Sequence, residues 1–169
     1  MSIRTIKKIL QARVYDVAEE TPVDRARSLS RRLNNSVLLK REDLQPVFSF
    51  KIRGAYNKMV HLDEASRVAG VVAASAGNHA QGVALAASKL GIRAKILMPV
   101  TTPLIKVEAV RALGAKVVLS GDSFNEAAVR AAALVEAEDL TFIHPFDDPD
   151  VIAGQGTVAV ELVRQASRP

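Results

Sequence analysis

Short apolar runs alternate with helical patterns along most of this chain, and the alternation limits the folds that it can adopt. Four runs of four or five residues are typical of buried strands: 70–74, 94–98, 115–119 and 140–143. The segments between them carry apolar residues at helical spacing: 79–90, 102–113 and 123–138. Strands separated by single helices form right-handed βαβ units around a parallel sheet. The sequence therefore predicts an α/β fold, a parallel sheet with flanking helices.

The ends of these helices carry their own signals. Gly91 and Gly114 follow the last apolar positions of two of them, where a helix commonly ends. Pro103 stands where proline is allowed, at the first helical position, and Ser123 is a preferred N-cap residue. A final helix is predicted over 149–165.

The first fifty residues are less regular. A first helix is predicted to run to about Val17, because apolar residues recur at helical spacing: Ile6, Ile9, Leu10, Val14 and Val17. Thr21-Pro22 breaks this pattern. A short second helix follows around Leu29, then a strand over 36–40 and a helix over 51–61.

Composition excludes several classes of function. Hydrophobic residues make up 49% of the 169 and the net charge is +5, but the basic residues are interleaved with apolar ones and no aromatic platform accompanies them. A solvated surface is therefore favoured over a nucleic-acid interface. The chain has no cysteine, and its three histidines lack the spacing of a metal site. Residues 1–17 lack a secretory core, and no run approaches the roughly 18 apolar residues that span a membrane. We expect no metal, no nucleic acid, no membrane and a cytoplasmic location.

Two motifs carry candidate chemistry. Lys51 lies between Phe50 and Ile52, and a lysine beside a desolvating surface loses its proton more easily and becomes a nucleophile or base. The small-residue loop 75–82 follows the strand 70–74 and opens a helix, so its backbone N–H groups suit an anion. Ligands of parallel sheets bind at the carboxyl ends of strands, where this loop lies. The bland alternatives are a lysine that extends to water and an ordinary strand-to-helix turn.

The amino-acid sequences of these motifs resemble those of one enzyme family. Residues 45–56 (QPVFSFKIRGAY) and 75–82 (SAGNHAQG) closely resemble threonine deaminase, a pyridoxal-phosphate enzyme of the tryptophan-synthase-β-like fold, also called fold type II. The runs 40–43 and 151–157 resemble it as well. The stretch 46–49 and Ala76 are closer to the biosynthetic branch, which serves isoleucine synthesis. Ala76 also departs from serine racemase, which has serine there.

The resemblance implies that Lys51 forms the Schiff base with pyridoxal phosphate and later takes the substrate's Cα proton. Phe50 and Asn78 are implied to bind the cofactor, Asn78 through its ring oxygen. An alternative role for Asn78 is a helix N-cap, which asparagine favours.

The substrate carboxylate is implied to bind at Ser75, Gly77 and His79, mainly through backbone N–H groups at a helix N-terminus. For His79, an ordinary capping or surface position is the alternative. The implied reaction is deamination of L-threonine, with L-serine as a second substrate, to a 2-oxo acid and ammonia.

The resemblance also implies a division of the chain. Residues 1–51 correspond to part of a large domain, 52–148 to a small α/β domain, and 149–169 to the start of the remaining, incomplete large domain. The chain is expected to be the N-terminal portion of a longer, homo-oligomeric enzyme, because the family's phosphate loop has no counterpart in it. Alternatives are an inactive α/β fragment and a non-enzymatic binding module. The last helix is then expected to lack a packing partner.

Two further groups are interpreted as structural. Arg53 is a candidate ion-pair partner without a chemical role. Asp147, Asp148 and Asp150 look like a metal cluster, but between Pro145 and Pro149 they are more typical of turn and helix-cap residues.

Overall fold

The computed structural model describes residues 2–166. Along most of this length, helices alternate with the strands of one sheet. The helices are α1 Ile3–Leu10, α2 Arg27–Arg32, α3 Lys51–Val60, α4 Glu64–Ala69, α5 Asn78–Leu90, α6 Leu104–Ala112, α7 Phe124–Glu138 and α8 Pro149–Ala166, with a 3₁₀ turn at Glu42–Leu44. The strands are β1 Val23–Arg25, β2 Leu38–Lys40, β3 Val71–Ala74, β4 Ala94–Met98, β5 Lys116–Leu119 and β6 Thr141–Phe142.

Four parallel strands form the central sheet in the order β5-β4-β3-β6. Alternate residues of β3 enter two different cores, as the period of a strand requires. Val71 and Ala73 belong to the larger core with α5, whereas Val72 and Ala74 pack in a second core with α7. The predicted α/β fold, with helices flanking a parallel sheet, is confirmed.

The strand order reverses at β3, and this reversal locates a crevice. From β3 the chain proceeds outward to β4 and β5, and then returns to place β6 on the other side of β3. The loops that follow β3 and β6 therefore leave neighbouring parallel strands at the same edge of the sheet and lead into α5 and α8, which both pack against α3. Open α/β sheets bind ligands at such a point, outside the carboxyl ends of the strands.

Helix α3 lies between α5 and α8, and glycines allow the close approach on both sides. A Cβ on Gly82 of α5 would lie 3.1 Å from the backbone of Lys51, at the start of α3. A Cβ on Gly154 of α8 would lie 2.5 Å from the carbonyl oxygen of Arg53. The close approach at Gly82 holds the beginning of α3 beside the loop after β3.

Several local predictions were wrong. The first helix ends at Leu10 rather than near Val17, because the backbone N–H of Arg13 donates to the side chain of Asn57 (2.8 Å) instead of continuing the helix. Strand β1, the 3₁₀ turn and α4 were not predicted from the sequence. Pro103 is the residue before α6, not its first residue.

The last helix has the packing partners that the sequence analysis expected it to lack. Helix α8 packs against α1 and α3, and its Val151 is fully buried. Ile152, Leu162 and Val163 are exposed, so only part of its apolar surface stays uncovered. The proposed domain boundaries at residues 51 and 148 stay a prediction.

Candidate functional site

The two loops at the strand reversal meet the start of α3. Lys51, the first residue of α3, extends its Nζ to the carbonyl oxygen of Pro145, 2.7 Å away, in the loop after β6. His79, in the first turn of α5, places Nε2 2.9 Å from the carbonyl oxygen of Ile143 at the end of β6. The structure thus brings Lys51 and the loop after β3 to one crevice, as the topology requires.

Lys51 is a partly desolvated amine. Its Nζ lies 5.3 Å from the centre of the Phe50 ring, which is itself 41% exposed. Desolvation by burial lowers the pKa of Lys51 below its ordinary value. Among the described residues no carboxylate pairs with this amine, so no opposing charge restores the pKa. A lowered pKa raises the fraction of neutral amine, and the neutral amine is the form that attacks a carbonyl or accepts a proton.

The loop after β3 turns directly into α5. Its Ser75 N–H donates to the carbonyl oxygen of Leu97 on β4 (3.0 Å), and its hydroxyl accepts from the N–H of Gly77 (3.2 Å). Gly77 is the residue before the helix and supplies no side-chain cap. The N–H groups of Asn78 and His79 in the first turn have no partner within residues 2–166. These donors, at the positive end of a helix of 13 residues, suit a carboxylate.

Asn78 is exposed and its side-chain amide makes no hydrogen bond within the described part of the chain. The alternative role as helix N-cap is wrong, because Gly77 occupies that position. The amide is therefore free to donate to a ligand in the crevice.

His79 is buried, unlike a surface histidine. Burial, outweighing a backbone hydrogen bond from its ring, lowers the pKa of His79 to about 4. The ring is then neutral near pH 7, and Nε2 carries the proton because the carbonyl of Ile143 can only accept. Its Nδ1 has no partner in the described residues. The side chain thus joins α5 to the end of β6. Only the backbone N–H of His79 is left for the predicted binding of a carboxylate.

An ionic cluster next to the site was largely missed by sequence reasoning. The fully buried guanidinium of Arg53, two residues after Lys51, donates from Nε to Glu42 (2.8 Å) and from Nη1 to Glu161 (2.6 Å). Lys40 lies 2.5 Å from Glu161 as well, and the hydroxyl of Tyr15 donates to it (2.9 Å). Burial alone would raise the pKa of Glu161, but the hydrogen bonds from Arg53, Lys40 and Tyr15 hold it below its ordinary value.

This cluster ties the 3₁₀ turn, α3 and α8 together, and the interpretation of Arg53 as an ion-pair partner is confirmed. The available signal was the charged run at residues 40–43, but nothing local pointed to Glu161, which is 108 residues from Arg53.

Two of the three aspartates near α8, Asp148 and Asp150, have structural roles. The carboxylate of Asp148 accepts from the N–H groups of Asp150 (2.8 Å) and Val151 (3.1 Å), capping α8. Lys58 and Lys8 pair with Asp148 and Asp150, at 2.9 and 2.8 Å. Within residues 2–166 no group of histidines and carboxylates is arranged to hold a metal. The same residues include no helix that is both long and apolar enough to span a membrane.

The sequence of this chain, which places a lysine and free helix N–H groups at a strand-reversal crevice, was compared with known protein families. The sequence model of the family described as "Pyridoxal-phosphate dependent enzyme" matches residues 14–169. The chain belongs to this family.

Two curated relatives have threonine dehydratase names. The chain is 58% identical over 167 residues to L-threonine dehydratase biosynthetic IlvA of Burkholderia multivorans, covering 97% of this chain and 33% of that protein. It is 60% identical over 164 residues to the chloroplastic biosynthetic threonine dehydratase of Arabidopsis thaliana, covering 97% and 28%. The chain therefore spans a third or less of the length of these relatives.

Solved structures agree with the fold. The processed form of threonine deaminase isoform 2 from Solanum lycopersicum superposes with a TM-score of 0.91 at 55% identity, covering 96% of this chain and 45% of that one. Maize serine racemase gives 0.89 at 35% identity, covering 97% and 50%. The resemblance to the threonine deaminase family that the motifs suggested is confirmed.

Proposed function

We propose that this chain forms the lysine-bearing part of a pyridoxal-phosphate-dependent threonine deaminase, which converts L-threonine to 2-oxobutanoate and ammonia. The observation that carries the proposal is the amine of Lys51, which has a lowered pKa and stands at the strand-reversal crevice. The similar proteins from Burkholderia, Arabidopsis and tomato, whose names all state threonine dehydratase or deaminase, support the choice of reaction.

The groups that line the crevice fit pyridoxal phosphate by their chemistry. A primary amine is what an aldehyde needs, and Lys51 supplies one that has no carboxylate partner. The free amide of Asn78 is a donor for an anionic ring oxygen, and the exposed ring of Phe50 offers an apolar face. When bound there, the cofactor supplies an electron sink for the bond at the substrate's Cα.

The residues of this chain then perform separate tasks. Lys51 anchors the cofactor and, once displaced by the substrate amine, accepts the proton from Cα. Asn78 orients the cofactor ring. The N–H groups at the start of α5 bind the substrate carboxylate, with Ser75 shaping the loop through its bond from Gly77. His79 keeps α5 in place against β6 rather than touching substrate.

Finer features follow the relatives' names. The two curated relatives named above are biosynthetic threonine dehydratases, which supports a role in isoleucine synthesis. L-serine is proposed as a second substrate. A homo-oligomeric state stays a prediction. A cytoplasmic location stays one too, since relatives named chloroplastic and mitochondrial are also similar to this chain.

The test is formation of 2-oxobutanoate from L-threonine. It uses the chain of 169 residues and a completed form, in which the C-terminal part of the Burkholderia relative is added to it. We expect deamination by the completed form, its loss in Lys51→Ala, and no loss in Lys89→Ala, which changes an exposed lysine of α5. A completed form that is folded by circular dichroism, takes up the cofactor and releases no 2-oxobutanoate would overturn the proposal and favour a binding module.

A further inference from the structure

An arginine-lined cleft lies outside the crevice that holds Lys51. It has a volume of about 980 Å³ and opens between β1, α2 and the turn that leads to β2. Arg25 at the end of β1 and Arg27 and Arg31 of α2 are among the residues that line it. Arg27 and Arg31 are four residues apart and so lie on the same side of the helix. The cleft has no carboxylate in its lining.

These three guanidinium groups have no counter-charge in the described structure. None of them forms an ion pair or a side-chain hydrogen bond within residues 2–166. The adjacent acid, Asp24, is engaged by Arg41 at 2.7 Å. Three like charges around one cleft repel one another, and an anion bound between them would offset that repulsion.

The backbone that carries the arginines is held in place. Buried Ser30 accepts from the N–H of Val37 (3.0 Å) through its hydroxyl and from the N–H of Asn35 (3.0 Å) through its carbonyl. Asn34 adopts a left-handed conformation (φ 46°) that closes the turn after α2. Strand pairing sets Arg25 opposite Leu38. The backbone from which the exposed arginine side chains extend is therefore fixed before a ligand binds, so binding has to order only those side chains.

The donor set points to phosphate. Each guanidinium presents five N–H donors in a fork that matches a phosphate bidentately, and the amides of Asn34 and Asn35 add neutral donors on the same wall. The lining has no aromatic residue on which a nucleobase could stack. We propose that this cleft binds a small anion with one or two phosphate groups, through Arg25, Arg27 and Arg31. The proposal is independent of the deaminase function.

Titration with inorganic pyrophosphate at low ionic strength tests the proposal. Binding is measured by calorimetry and by broadening of the phosphorus NMR line. Replacing both arginines of α2, in Arg27→Gln/Arg31→Gln, should weaken binding by at least about tenfold, since each bond between charged partners contributes more than a neutral one. The matched control is Arg111→Gln/Arg130→Gln, which removes two exposed arginines of α6 and α7 and gives the same change in net charge. The control should bind like the parent chain, and thermal unfolding shows whether both variants are folded.

Four results would overturn the proposal. One is the absence of saturable pyrophosphate binding by the folded parent chain. Another is equal weakening in the control, which would reduce the effect to net charge. The third is binding of a single-stranded oligonucleotide that pyrophosphate does not displace, which would assign the arginines to nucleic acid. Retention of pyrophosphate binding by Arg27→Gln/Arg31→Gln would likewise place the anion elsewhere.

Discussion

Gly154→Ala should destabilise the chain by forcing α8 away from α3. The added Cβ would lie 2.5 Å from the carbonyl oxygen of Arg53 and 2.7 Å from the Cα of Gly54, whereas ordinary contact begins near 3.4 Å. The shortfall is about 0.9 Å, and both obstacles are backbone, so no side chain can rotate to relieve it. Overpacking costs about 3 kcal/mol at the upper end of its usual range, and the better helix propensity of alanine returns about 1 kcal/mol.

The expected net loss in free energy of unfolding is about 2 kcal/mol, or a melting temperature lower by about 6 °C for a chain of this length. Gly156→Ala, two residues along the same helix, is the matched control. The three atoms nearest to its Cβ belong to the side chain of Ile9, with Cδ1 at 2.6 Å and Cγ1 at 2.7 Å, and a side chain can shift in part where the backbone at Gly154 cannot. The gain in propensity is the same, so we expect a smaller loss than for Gly154→Ala, by about 1 kcal/mol. Chemical and thermal unfolding followed by circular dichroism measures both. If Gly154→Ala were as stable as Gly156→Ala, the close packing of α3 on α8 would be refuted.

Three further predictions concern the surroundings of the site. Asn78→Ala in the completed enzyme should lower turnover by roughly a hundredfold through lost ring positioning, with an unchanged melting temperature because the exposed amide makes no hydrogen bond in the described structure; a parallel fall in both would contradict this. His79 has a pKa of about 4 when folded and about 6.5 when unfolded, so the unfolded chain binds the proton more readily. Its contribution to stability should be complete above pH 6.5 and fall by about 3 kcal/mol as the pH drops toward 4, and this slope should be missing from unfolding curves of His79→Gln but present in those of His61→Gln. Arg53→Met should cost about 3–5 kcal/mol by leaving Glu42 and Glu161 buried without their cation; a loss below about 1 kcal/mol in denaturant unfolding would show that the cluster is dispensable.

The parts of the fold that the sequence predicted are those with local signals. The strands 70–74 and 94–98 are short, apolar and bounded by helical patterns, and Ser123 caps α7 by accepting from the N–H of Glu126 as expected. The position of Lys51 beside the loop at residues 75–77 followed from the resemblance of the two motifs to a known family and from the rule that ligands bind at strand ends.

What the sequence did not reveal depends on contacts between distant segments. Helix α1 stops early because Asn57 takes the N–H of Arg13, 44 residues away. His79 is buried because β6 returns to the neighbour position of β3, a strand order that periodicity cannot state. No local signal marks Glu161 as a buried residue, and only the packing of α8 on α3 places it against Arg53.

The central claim is that Lys51 is the residue that holds the cofactor. The direct measurement is to incubate the chain with pyridoxal phosphate, reduce it with borohydride, and map the peptide that carries the pyridoxyl group. The account predicts the label on Lys51, whose pKa is lowered by burial at the crevice, in preference to the exposed lysines. Label distributed over other lysines such as Lys89, with Lys51 unmodified, would contradict it.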